Sequence, residues 1–377
     1  MPLDLAAIPI VDNHCHSLLR EQPADDAAFR AHLTESYIPD VARDDVPYSL
    51  GWHWAIRELA SLLGCAANPD AVHSARREWG VERLAREIVK RANFRTWLID
   101  TGYGANATYS LEDLRKIVPR IEIREIVRLE PLIERSILAA DDFDSFLGAY
   151  EASLSDLRGS GYIGMKSVIA YRSGLQIERV ARPTAADAFR SVHSAGRREG
   201  RLRIESKPLL DFLIIMAVEQ AASQNVPIQF HTGLGDPDLD LTKVDPSSLR
   251  LIFADRYRNA PIVLLHSGYP YVRSASYCAA MFPNVYADIG EVNLFAPGDY
   301  RGIVREMLGL APANKILFST DASLIPELYW LGAALGRRVL GQVLDEHIAD
   351  GFIDKTVAME FAGLILHGNA ERVYAIR

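Results

Sequence analysis

Short apolar runs that end on a polar or titratable residue recur along this chain, and between them lie longer stretches whose apolar residues fall at helical spacing. The runs at residues 8–16, 97–102, 123–130, 162–168, 227–231, 261–266, 285–289 and 315–319 read as eight strands. Residues 110–118 and 141–157 read as helices, the second opened by acidic residues. In the wide gap between the first two strands, residues 52–60 and 82–89 have helical periodicity, so a helical lid is expected as an insertion over about residues 20–95. Strands that alternate with helices are joined by crossovers and run parallel. The α/β class is therefore expected, as a (β/α)8 TIM barrel with a helical insertion after the first strand. Residues 330–377 read as closing helices, and no repeat or linker divides the chain, so one domain over residues 1–377 is expected.

The polar residues that close the runs carry the candidate chemistry. On a strand, positions two apart share a face. Asp12, His14 and His16 therefore face one way, while Asn13 and Cys15 face the other, with Cys15 packing behind the histidines. Two imidazoles one residue apart can grip zinc or a similar divalent ion. Further along, Glu130 closes the third run, Lys166 follows Ile163-Gly164-Met165, His231 follows Pro227–Phe230, His266 follows Ile262–Leu265, and Asp321 follows Ile316–Thr320. In a parallel barrel those strand ends are where catalytic groups gather.

Composition narrows the partners. A chain of 377 residues, 49% hydrophobic and 24% charged, can bury a large core, and a net charge of −8 argues against a general nucleic-acid or anionic-membrane binder. The basic run Arg76, Arg77, Arg83, Arg86, Lys90, Arg91 and Arg95 is interspersed with Glu78, Glu82 and Glu87 and reads as a solvated, ion-paired helix. Trp52, His53 and Trp54 read as packing within the insertion. Three widely spaced cysteines form no disulfide framework, no apolar stretch approaches the ~20 residues of a membrane span, and the N-terminus lacks a signal-peptide pattern. A cytoplasmic protein acting on a small molecule is the expectation.

Taken in order, the His-x-His of strand one, Lys166, His231, His266 and Asp321 resemble the metal-dependent amidohydrolase superfamily. The segments Lys166–Leu175 and His266–Arg273 extend the resemblance over nearly the whole chain, to the amidohydrolase-like proteins that occur alone or fused ahead of glutamine-synthetase-like domains in nodulin-type and fungal developmental proteins. The resemblance implies that His14, His16, His231 and Asp321 hold one or two divalent ions. Zinc is the expected ion, with manganese or iron as alternatives. It also implies that Lys166 is carboxylated and bridges two ions in a binuclear site, with His266 on the second, and that the protein is a homo-oligomer. The fused partner hints at γ-glutamyl compounds.

Asp321 is placed to take a proton from the attacking water and return it to the leaving group, and His266 either supports the polarised oxygen or binds a second ion. An uncarboxylated Lys166 would instead bind substrate directly or pair with Glu130. Arg172 and Tyr171, just beyond strand four, suit a substrate carboxylate, and Glu130 suits a substrate amine. The leading expectation is hydrolysis of an amide or other C–N bond in a small, carboxylated substrate. A decarboxylase or isomerase on the same scaffold is the nearest rival, and a non-catalytic ligand-binding or regulatory protein is the alternative of another class.

Overall fold

The computed structural model describes residues 3–104 and 107–376. Its strands are β1 (Ile10–Cys15), β2 (Phe94–Asp100), β3 (Glu122–Arg128), β4 (Tyr162–Ser167), β5 (Ile228–Phe230), β6 (Ile262–Leu264), β7 (Val285–Asp288) and β8 (Ile316–Leu317). They form a single eight-stranded sheet in the order of the sequence, and the pairings β1 with β2 and β3 through β7 are parallel. The order also closes. Asn13 N donates to Phe318 O at 3.1 Å and Asp321 N to His14 O at 3.0 Å, so the segment at β8 runs beside β1. This is the (β/α)8 barrel expected from the alternation of strands and helices.

Strand ends differ from the sequence reading in one informative place. The third run stops at Arg128, and Leu129 and Glu130 open the helix Leu129–Ala139 with no intervening loop. Apolar residues on both sides of that junction hide it from periodicity. The helical insertion is present as Leu50–Leu63 and Pro69–Arg91, capped by the Ser49 hydroxyl and the Asn68 side chain. Trp52 packs within it, with its ring 6.3 Å from that of Phe29. No helix among the described residues is long and apolar enough to cross a membrane.

Chain contacts divide the molecule into two compact units. The first comprises Met1–Arg124, Gly235–Pro237 and Asp288–Arg377; the second comprises Glu125–Leu234 and Asp238–Ala287. The first unit holds the insertion and the long helix Pro326–Ala349, where Tyr329 stacks on Trp97 at 4.2 Å. The second packs the helix Phe143–Leu154 on Arg182–Glu199 through Phe146 and Phe189, whose rings stack at 5.0 Å.

One correction concerns the basic run. Arg86 and Arg91 do pair with Glu82 and Glu87 along their helix, but Arg76 is fully buried, paired with Glu327 at 2.5 Å. Helical spacing turns Arg76 onto the face that carries Val72, which is buried too.

A buried polar bracket fixes β1 against the segments that follow it in the first unit. Asp288 accepts from Asn13 Nδ2 at 3.2 Å and from Ser319 Oγ at 2.5 Å, while Tyr374 OH donates to Asn13 Oδ1 at 3.1 Å. Gly290 leaves room for it, since a Cβ there would lie 1.7 Å from Ser319 Oγ. Gly290→Ala is therefore expected to cost about 1–3 kcal/mol. Urea denaturation checks this, and adding Ser319→Ala should recover part of the loss.

Candidate metal centre

In the first unit the end of β1 and the turn after β8 bring three ligand atoms together. His14 Nε2 lies 3.1 Å and His16 Nε2 3.4 Å from Asp321 Oδ1. The backbone enforces the approach. Asp321 N bonds to His14 O, His16 N to Ala322 O at 2.9 Å, and Leu324 N to Ser17 O at 3.0 Å, so the post-β8 segment runs alongside the His-x-His. Asp321 and Leu324 adopt positive φ, +54° and +65°, to follow this path. Left-handed backbone at non-glycine residues costs of order 1–3 kcal/mol and persists where the surroundings over-determine it.

The protonation pattern bears on what the cluster can hold. His16 Nδ1 lies 3.0 Å from the carbonyl oxygen of Asp100, which can only accept, so that nitrogen carries a hydrogen and the neutral ring would present its Nε2 lone pair towards Asp321. A bare imidazole nitrogen facing a carboxylate oxygen is repulsive unless a cation or proton lies between them. Asp100, the last residue of β2, adds a second carboxylate. His14, His16 and Asp100 offer ligand atoms within 4.8 Å of one another. Two imidazoles with flanking carboxylates suit a divalent ion. The donor set fits the expected metal.

Asp12 takes a different part. The β1–β2 register shifts between Asp12 and Cys15. The Asp12 carboxylate accepts from Thr320 N at 2.9 Å and Thr320 Oγ1 at 2.5 Å, and burial pushes its pKa up to about 8. Asp12 thus holds the residue that precedes Asp321. Cys15 is buried behind the strand with its thiol towards Leu98 O, as alternation predicts.

The second unit gathers the other candidates. The His231 and His266 rings lie 4.4 Å apart, and Tyr171 lies 4.5 Å from His231. His231 Nε2 meets the Leu234 carbonyl at 2.7 Å, leaving Nδ1 as the nitrogen with a lone pair. His266 has φ +66° and Ser267 φ +55°. Lys166 sits in β4, buried. Glu130 is buried, with Oε1 accepting from Ser167 Oγ at 2.7 Å and Val168 N at 2.9 Å, and burial raises its pKa. It braces the end of β4, so a substrate amine could use only Oε2. Arg172 lies 3.4 Å from Glu134.

Sequence reasoning missed Asp100 and the Asn13–Asp288 bracket. Asp100 was open to discovery by the rule that found the others, since it closes the apolar run Trp97-Leu98-Ile99. Nothing in the sequence marks Asp288 as the partner of Asn13.

The family model described as Amidohydrolase matches residues 201–376. A structure from Lactobacillus casei ATCC 334, provisionally described as a metal-dependent hydrolase, is 30% identical with a TM-score of 0.88, covering 98% of this chain and 96% of that one. The chain belongs to the amidohydrolase family. A further relative, Protein fluG of Emericella nidulans, is 32% identical over 404 aligned positions that cover 98% of this chain and 46% of fluG. This amidohydrolase chain spans about half the length of that relative. The uronate isomerase of Thermotoga maritima shares the fold at 15% identity and a TM-score of 0.67, covering 98% of this chain and 95% of its own.

Proposed function

We propose that this protein is a metal-dependent hydrolase that uses water to cleave an amide or other C–N bond of a small, carboxylated substrate, a γ-glutamyl compound being one such class. The observation that carries the reading is the convergence of His14 Nε2 and His16 Nε2 on Asp321 Oδ1. A divalent ion bound there, zinc in the first instance, supplies Lewis acidity and lowers the pKa of a coordinated water towards ~7. His14, His16 and Asp321 would hold it, and the family resemblance would add Lys166 and His231 to the ligand set. Asp321 removes a proton from the attacking water and returns it to the leaving nitrogen, so that water and amide give acid and amine. His266 steadies the carbonyl oxygen or serves a second ion. Arg172 and Tyr171 hold the substrate carboxylate.

Metal content decides the form of this mechanism. Elemental analysis of protein purified without chelators should find two ions per chain, falling in Lys166→Ala, if Lys166 is a carboxylated bridge. One ion, unchanged in the variant, moves Lys166 to substrate binding and strengthens the decarboxylase or mononuclear hydrolase reading. Absence of metal, not repaired by reconstitution, overturns the proposal.

A further inference from the structure

The second unit contains a cavity of about 360 Å³ beside the end of β4, whose walls include Arg172, Ser173, Arg203, Asp238, Asp240 and Lys243. Two loops build it. Leu175 N donates to Lys243 O at 2.9 Å, and Gly174, at φ +86°, lets the loops meet, because a Cβ there would lie 2.9 Å from Lys243 Cβ. Both rim cations are taken up by rim carboxylates, two cations facing three acids. Arg203 bonds Glu205 at 2.9 Å and Asp238 at 3.2 Å, and Lys243 pairs with Asp240 at 2.8 Å.

Arg172 stands apart from this pairing. Its contact with Glu134, at 3.4 Å, is loose, and its Nε and Nη1 make no hydrogen bond, nor does the buried Ser173 hydroxyl beside it. Buried donors without acceptors are costly and call for an acceptor-only partner. We infer that this cavity is a carboxylate subsite, in which the Arg172 fork and the Ser173 hydroxyl bind a singly charged carboxylate on a short arm of the bound molecule. Guanidinium matches carboxylate geometry in a bidentate manner. Among the described residues the other cations that line the cavity, Arg203 and Lys243, are already paired, which disfavours a phosphate dianion. The volume is at the small end of ligand sites and accommodates a short-chain dicarboxylate. The inference rests on the proposed hydrolase reading only in calling that molecule a substrate.

Calorimetric titration of the full chain with glutarate, glutaramide and inorganic phosphate tests it, with metal and after chelation. Glutarate should bind in both states and glutaramide at least about tenfold more weakly, while Arg172→Lys should weaken glutarate roughly 10- to 100-fold. Ser173→Ala, a milder change that spares the fold, should weaken it less. Unchanged affinity in Arg172→Lys overturns the inference, as does phosphate binding tighter than glutarate. Glutarate binding lost on chelation also overturns it, placing the carboxylate on the metal and leaving the proposed reaction intact. A protein that takes up no metal yet binds glutarate through Arg172 would do the reverse.

Discussion

Asp321→Asn is expected to lower turnover by roughly 10²- to 10⁴-fold while the protein stays folded and keeps its metal. The amide oxygen can still face His14 and His16, and asparagine tolerates the positive φ of +54° that this position requires. What is lost is basicity, since an amide cannot take a proton from water at neutral pH. Metal content measured alongside kcat for the amide that the wild-type protein cleaves separates the two roles of this residue. Loss of both metal and turnover would make Asp321 chiefly a ligand. Near-normal turnover would refute its part in proton transfer. Ligand affinity retained by a wild-type protein that turns nothing over would support the binding-protein alternative.

The barrel was legible because each strand of a parallel sheet is buried on both faces and reads as an apolar run, and because most of the runs here end on a polar residue. His14, His16 and Asp321 were legible for the same reason, and the structure brings them within hydrogen-bonding distance. Pairings made by positions far apart in sequence were not. Thr320 holding Asp12, and Asp288 holding Asn13, depend on which strands become neighbours. Arg76 shows the limit most clearly, because charge pattern alone placed it in solvent. A long cation leaves water only when a partner from elsewhere in the chain is waiting, and Glu327 is 251 positions away.

That pair sets the second large effect. Arg76 Nε donates to Glu327 Oε1 at 2.5 Å with both side chains withdrawn from water, and the guanidinium lies 4.4 Å from the Phe29 ring centre. Nearby His32 is pushed down to about 4, first by burial and also by Arg76, so it stays neutral and supplies no second charge. Glu327→Gln should therefore strand a buried cation and lower stability by about 3–5 kcal/mol, and Arg76→Met should strand the carboxylate at similar cost. The double variant Arg76→Met with Glu327→Gln should recover most of the loss, because removing both charges removes the desolvation penalty along with the attraction. Guanidinium denaturation of the four proteins measures the coupling, and losses that simply add would show that the pair does not act as a unit. Glu327 lies in the first turn of the helix Pro326–Ala349, just after the segment that carries Asp321 through its positive-φ turn. The single variants should therefore also bind metal more weakly than the double variant. The ion pair would then tie the insertion to the placement of Asp321, so that a contact made outside the sheet positions a candidate ligand of the barrel.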